Sequence, residues 1–418
     1  MRSMTWLSRK RVGLVAAILL SGAPASSLAQ LPKLWMDDTL ASQRLNQTRR
    51  FSVALPVGYE DPEAQSNRYP VLIVLNVNPG PLSTLILSAR EQNRLGVWAV
   101  PELIVVNVPA DNTRDLYPPL TGVAGRLRPT AGGADAFGDF LVTELVPLLR
   151  SRYRTLPYVI IGGQSAGGQF AIRAFALYPE TFQGAITPSP ALEWNENAVI
   201  DRYAEQIARR KTPGRLYVAA GGYDPATLAS AESRFAARLK ALKSTTTTFE
   251  FRKFPDDGHS SIEIPGYVDG LRWLFKPVSL ARNPLNMLAR NIGDSAGAPP
   301  AYERLKRQYA EGARIFGMPE GLPDEFLRTM ATLQGPLREP NVLDRRMCDD
   351  DIKWHSDNAY AYTCLGQLLL RQGDTVGARN AYDRGMVVAR KAGWTSTAAT
   401  MERRLRAIDS AWSTRGKP

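Results

Sequence analysis

The 418-residue chain is poor in histidine and cysteine, with two of each. Two histidines narrow any imidazole base to two positions, His259 and His355. Two cysteines, Cys348 and Cys364, allow one disulfide at most, and spacing alone leaves bridge and free thiols both open. Beyond the first 29 residues no apolar run is long enough to cross a bilayer, which excludes a stable membrane span there. A basic stripe interleaved with aromatics is also missing. Lys and Arg outnumber Asp and Glu by 52 to 40, for a net charge of +12, but they are scattered, which argues against a nucleic-acid partner. The mild positive excess suits anionic small molecules or envelope surfaces.

What is present begins with a leader. Arg2, Arg9, Lys10 and Arg11 precede the apolar run Val12 to Leu20, and small residues stand at Ser27 and Ala29. A basic start, a short apolar stretch and a small-residue site predict a signal peptide over residues 1–29 and an exported chain, periplasmic or secreted. Its removal leaves a net charge of +8. Residues 30–48 read as a polar lead-in. From 49 to 278, apolar strand patterns at Phe51–Pro56, Tyr69–Leu75, Glu102–Val108, Tyr158–Gly162, Arg215–Ala220 and Thr248–Phe254 alternate with helical ones. Ala134 to Arg150 is the clearest helix, with Phe137, Phe140, Leu141, Leu145 and Leu148 at helical spacing. This alternation predicts an α/β domain with a mostly parallel sheet covered on both faces. Residues 279–300 are rich in Asn, Gly, Ala and Pro and read as a linker. Residues 301–418 read as helical. Ala359 to Arg390 has the small-and-large spacing of one tetratricopeptide-like unit, with Gly373-Asp374 as its turn. One such unit cannot bury its own face, so it needs its helical neighbours, the α/β domain or a protein partner.

The chemistry is carried by Gly163-Gln164-Ser165-Ala166-Gly167. A Gly-x-Ser-x-Gly run between a strand and a helix holds a serine on a sharp turn, with glycines where neighbouring elements approach closely. The chain holds a second copy, Gly293-Asp294-Ser295-Ala296-Gly297, but that one follows a polar linker and runs into Ala298-Pro299-Pro300, a sequence expected not to open a close-packed helix. Ser165 has the strand Tyr158–Ile161 before it. After it comes a helical pattern, Phe170, Ala174, Leu177 and Tyr178, ending at Pro179. Context therefore selects Ser165 as the nucleophile. His259, in a polar loop after the last strand, is its base, whereas His355 lies in the helical tail, where a structural role is ordinary. The acid is Asp224, directly after a strand, with Glu193, Glu196 and Glu232 as rivals and a turn aspartate before Pro225 as the plainer reading. The oxyanion would be met by the amide of Ala166 and one from Asn76-Val77-Asn78, with Val77 the better donor. No metal or organic cofactor is implied.

With these residues in place, the chain resembles the putative-esterase family of the α/β-hydrolase superfamily, a group that includes esterase D and the esterases of enterobactin-type siderophores. The matching pieces are Arg68-Tyr69-Pro70-Val71-Leu72, Asn112-Thr113-Arg114-Asp115-Leu116-Tyr117-Pro118, Gly132 to Phe137, Gly163 to Gly168, Tyr178 to Phe182, Ser189-Pro190-Ala191-Leu192-Glu193-Trp194 and Gly258 to Ser261. The resemblance implies that Arg114 lines the substrate cleft and that Trp194 forms part of its wall. The plainer readings are a surface arginine and a core tryptophan. One departure stands out: the family usually has Leu-Asp-Gly where this chain has Leu75-Asn76-Val77. The expected activity is hydrolysis of small carboxylic esters through an acyl-enzyme on Ser165. An acyltransferase, a serine peptidase and a hydrolase-like binding module using the helical tail are the alternatives.

Overall fold

The computed structural model describes residues 35–56, 58–75, 100–120, 122–280, 298–324, 326–327 and 342–414. The expected leader, the loop carrying Asn76 and Val77, and Ser295 lie outside them. The strands are β1 (Met36–Ser42), β2 (Gln47–Ala54), β3 (Tyr69–Leu75), β4 (Ile104–Val108), β5 (Thr155–Gly163), β6 (Gly184–Pro188), β7 (Gly214–Gly221) and β8 (Thr247–Phe254). They form one sheet in the order β1-β2-β4-β3-β5-β6-β7-β8. The pairs β1/β2 and β2/β4 are antiparallel and the rest are parallel. Strand β1 falls inside the segment read as a polar lead-in. It is an edge strand, and its exposed positions (Met36, Asp37, Thr39 and Ala41) mix polar and apolar side chains, so the sequence carries no buried-strand signal there. The central β3 is buried at every position, which is why its uninterrupted apolar run was readable.

The helices of the α/β part are α1 (Gly122–Leu127), α2, α3 (Ala166–Leu177), α4 (Trp194–Ala208), α5 (Ala226–Leu242) and α6 (Glu263–Leu274). Helix α2 is continuous through Ala134–Phe140, a π turn at Leu141–Leu145 and Val146–Arg152. Phe137, Phe140, Leu141 and Leu145 are fully buried and join β3, β4, β5 and α3 in the main core, as their helical spacing required.

The C-terminal part is helical: α7 (Ala298–Phe316), α8 (Val342–Trp354), α9 (Ala359–Arg371), α10 (Thr375–Lys391) and α11 (Thr395–Thr414). Helix α7 opens on Ala298-Pro299-Pro300, contrary to expectation. Proline is tolerated in a first helical turn because the N–H it lacks would have no intrahelical acceptor there. Phe316, at the end of α7, packs against Tyr158 of β5 and against Phe275, with ring centroids 4.8 and 4.9 Å apart. Asp350 of α8 accepts from Tyr302 at 3.0 Å and Lys306 at 2.7 Å, both on α7. Cys348 and Cys364 form a disulfide between α8 and α9, with a Cα separation of 5.6 Å. Helices α9 and α10 turn at Gly373, whose φ is +78°, and Asp374 caps α10 by accepting from the Gly377 amide at 2.8 Å. Trp394, Met401, Leu405 and Ile408 from α11 and the residue before it complete the core under that hairpin. Among the described residues no helix is long and apolar enough to cross a membrane.

Candidate active site

The parallel strands β3, β5, β6, β7 and β8 end along one edge of the sheet, with Leu75 beside Gly163, Pro188 beside Ala219 and Gly221 beside Phe254. The carboxyl edge of such a sheet is where α/β proteins assemble their sites. Ser165 follows β5, Ser189 follows β6, Asp224 follows β7 and His259 follows β8.

Ser165 sits at φ 57°, ψ −120°, immediately before α3. This strained backbone is seldom adopted outside glycine and points to an imposed turn. The neighbours show why the flanks are glycine. A Cβ on Gly163 would lie 2.4 Å from the main-chain carbon of Gly167, and one on Gly168 would lie 2.9 Å from the Gly163 oxygen. The turn is fastened through the Ser165 amide, which donates to the Ser189 oxygen at 3.1 Å, and the Ser165 oxygen, which accepts from the Ala191 amide at 2.9 Å. Ala166 is the first residue of α3, where amides lack an intrahelical acceptor.

The Asp224 and His259 loops are joined by main-chain bonds, Gly222 N to Phe254 O at 2.7 Å and Tyr223 N to Asp257 O at 3.0 Å. The Gln164 side chain, next to Ser165, donates to the His259 carbonyl at 2.6 Å. The result is one continuous path. His259 Nε2 lies 3.0 Å from Ser165 Oγ, and His259 Nδ1 lies 3.0 Å from Asp224 Oδ1. The Asp224 side chain is fully buried, and that of His259 is 34 % exposed. Asp224 Oδ2 accepts from Ser189 Oγ and from the Gly221 amide, each at 2.7 Å. Asp224 does not act as a helix cap; Pro225 holds the N-cap position of α5.

Of the rival carboxylates, neither Glu232 nor Glu193 hydrogen-bonds the histidine, whose ring nitrogens meet Asp224 and Ser165. Glu232, on α5, is fully buried, and neither of its side-chain oxygens has a hydrogen-bond partner among the described residues. Burial, reinforced by the charges of Asp224 and Glu193, pushes its carboxyl up to about 9, so it is neutral at pH 7. Glu193 precedes α4, with one carboxylate oxygen buried; the side chain of Glu196 lies outside the described set. His355 is in the tail, its Nε2 2.9 Å from the Leu322 carbonyl oxygen. Arg114 has an exposed side chain. Its main chain fixes the loop before α2, donating to Asp111 Oδ1 at 2.7 Å and accepting from the Gly133 amide at 2.9 Å. Trp194 is nearly buried, stacked on Tyr117 at 3.6 Å between centroids, and covered by the Arg128 guanidinium at 4.2 Å. Sequence reasoning passed over Ser189, Gln164, Tyr117 and Arg128. For Ser189 there is a signal, since it opens the Ser189-to-Trp194 motif at a strand end, but Gly184–Pro188 before it is too short to read as a strand. No group of His, Cys, Asp or Glu among the described residues is arranged to hold a metal ion.

The family described as "Putative esterase" matches residues 42–261. The chain belongs to that family. Among curated proteins, it is 27 % identical over 161 residues to the ferri-bacillibactin esterase BesA of Bacillus subtilis, across 37 % of this chain and 55 % of BesA. The chain thus spans about half the length of that relative. Among solved structures, this esterase-family chain is similar to an IroE-like serine hydrolase from Shewanella oneidensis. The TM-score is 0.60 at 22 % identity, covering 77 % of this chain and 97 % of that one. A second structure, an uncharacterised protein from Capnocytophaga ochracea, gives a TM-score of 0.56 at 15 % identity over 90 % of this chain and 99 % of its own. At these identities the two structures speak for the fold, a mostly parallel sheet flanked by helices.

Proposed function

We propose that the protein is a serine esterase that hydrolyses small carboxylic esters through an acyl-enzyme on Ser165. His259 takes the Ser165 proton as Oγ attacks the ester carbonyl, and Asp224 holds the imidazole in the required tautomer and offsets its positive charge. The amides of Ala166 and Val77 receive the oxyanion. Collapse breaks the acyl–oxygen bond, and His259 returns the proton to the leaving alcohol. Water, deprotonated by His259, then attacks the acyl group and frees Ser165. The observation that carries this reading is the unbroken hydrogen-bond path from Ser165 through His259 to a buried carboxylate, on a strained turn at the carboxyl edge of the sheet.

The proposed substrates are siderophore-type esters. BesA supports this by its name. Arg128 supports it by charge: it is exposed and held over the buried Trp194 ring, and a fixed cation there favours anionic groups. We further propose that residues 1–29 direct export and are removed; an intact mass beginning at Gln30 in protein recovered from its host is the expected result.

Ser165→Ala should lower hydrolysis of short p-nitrophenyl esters by at least about a thousandfold and abolish fluorophosphonate labelling, while Ser295→Ala leaves both unchanged. Full activity in Ser165→Ala would sink the assignment. An ester panel read by mass spectrometry, with and without added alcohols, tests the substrate class and separates hydrolysis from acyl transfer.

A further inference from the structure

Ser189 is fully buried at the end of β6, and the mechanism above does not use it. Its backbone adopts φ +40°, a left-handed conformation that disfavours every L residue and suits glycine. That conformation is enforced from both sides. Its amide donates to the Ala219 oxygen at 2.8 Å, and its carbonyl accepts from the Ser165 amide at 3.1 Å. Glycine would fit this backbone with less strain, so the side chain present should have a use. Its Oγ has one: it donates to Asp224 Oδ2 at 2.7 Å.

The carboxylate geometry shows what this contact adds. Asp224 presents Oδ1 to His259 Nδ1, and Oδ2 is held by two donors, the Gly221 amide and the Ser189 hydroxyl. With the Gly221 amide alone on Oδ2, the carboxylate could tilt about its Cβ–Cγ bond at the expense of the His259 contact. Two donors from different strand ends fix its plane, and with it the direction in which Oδ1 meets the imidazole. A hydrogen bond to a buried anion is also among the stronger ones a protein makes. The same residue therefore touches both ends of the proposed relay: its hydroxyl holds the acid, and its carbonyl holds the backbone of the nucleophile.

We propose that Ser189 is a positioning residue of the Ser165–His259–Asp224 set, fixing the Asp224 carboxylate through its hydroxyl and the Ser165 turn through its carbonyl. This rests on the esterase reading. It acts through Asp224 and does not touch the substrate.

The test uses two substitutions in the full-length chain. Ser189→Gly removes the hydroxyl but relieves the left-handed backbone. It should keep or raise the melting temperature, lower kcat by about ten- to hundredfold, the range expected for a hydrogen bond to a charged group, and leave KM within about twofold. Ser189→Thr restores a hydroxyl on a backbone that a β-branched residue strains. It should melt lower than the glycine variant and yet recover part of kcat. A merely structural serine would give the opposite order, with kcat following the melting temperature. Wild-type kcat in Ser189→Gly, or kcat tracking stability in both variants, overturns the proposal. Wild-type protein is run beside them with an ester substrate and a fluorophosphonate probe. Failure of wild type to react overturns the esterase reading, whereas a reactive wild type with an unaffected glycine variant overturns the role of Ser189 alone.

Discussion

At the scale of single residues, two buried carboxyl groups eight positions apart in the chain have opposite fates. Asp224 meets His259, Ser189 and the Gly221 amide. Glu232 meets no donor among the described residues and is pushed up to about 9 by burial and by the charges of Asp224 and Glu193. This has a consequence for stability. Between its ordinary value of 4.5 and about 9, Glu232 is protonated in the folded chain and ionised in the unfolded one. The folded state then binds the extra proton, so the contribution of this residue to stability falls as pH rises through that window. Glu232→Gln removes the dependence. It should flatten the loss of stability between pH 6 and pH 9, measured by denaturant unfolding at each pH, and an unchanged slope would count against a neutral Glu232. From sequence alone Glu232 and Asp224 were rivals because each is an acid between serine and histidine in chain order. Only donors from distant strand ends separate them. Ser165 and His259, which the structure brings to 3.0 Å, were expected as partners on different grounds, the first its strand-and-helix context and the second the scarcity of histidine. Ser189 was not, since nothing local marks a serine whose partner is 35 residues away.

At the scale of elements, the turn between β5 and α3 depends on the absence of side chains. A Cβ at Gly163 would meet the main chain of Gly167 at 2.4 and 2.5 Å, and backbone cannot swing aside as a long side chain can. Gly163→Ala must therefore shift the start of α3 relative to β5. The expected cost is about 1–3 kcal/mol of stability, but a displacement near 1 Å at Ser165 should slow fluorophosphonate labelling by about a hundredfold. A thermal melt and a labelling time course on the same sample check both, and normal labelling would show that the turn tolerates the methyl group. Strands buried on both faces, such as β3, were readable because burial writes an unbroken apolar run. The edge strand β1 and the five-residue β6 were not, the first because half of it faces water and the second because Gly184-Ala185-Ile186-Thr187-Pro188 is too short to show a period. The opening of α7 on two prolines shows the limit of treating proline as a helix breaker: position within the helix decides.

At the scale of the whole molecule, the helical tail is docked on the strand that leads to Ser165, but at its other end. Phe316 packs on Tyr158 and Phe275, and Tyr158 precedes Ser165 by seven positions, roughly 23 Å along an extended strand. Phe316→Ala should therefore separate stability from chemistry. It should cost about 3–5 kcal/mol, seen in the melting temperature, while kcat and KM of the folded protein at 25 °C stay within about twofold. A selective fall in kcat would mean that the tail reaches the site by another route. That the tail is helical was legible from its spacing; what it leans on was not, because Phe316 and Tyr158 are far apart in the chain. The disulfide within that tail has one more consequence. Its sulfurs belong to residues only 1 % and 5 % exposed, out of easy reach of reductants once the helices have closed over them. Cystine forms in oxidising compartments and seldom in a reducing cytosol. Alkylation and weighing of protein taken from its host would thus read back where the chain folded: the bridge is a chemical record of the chain's itinerary.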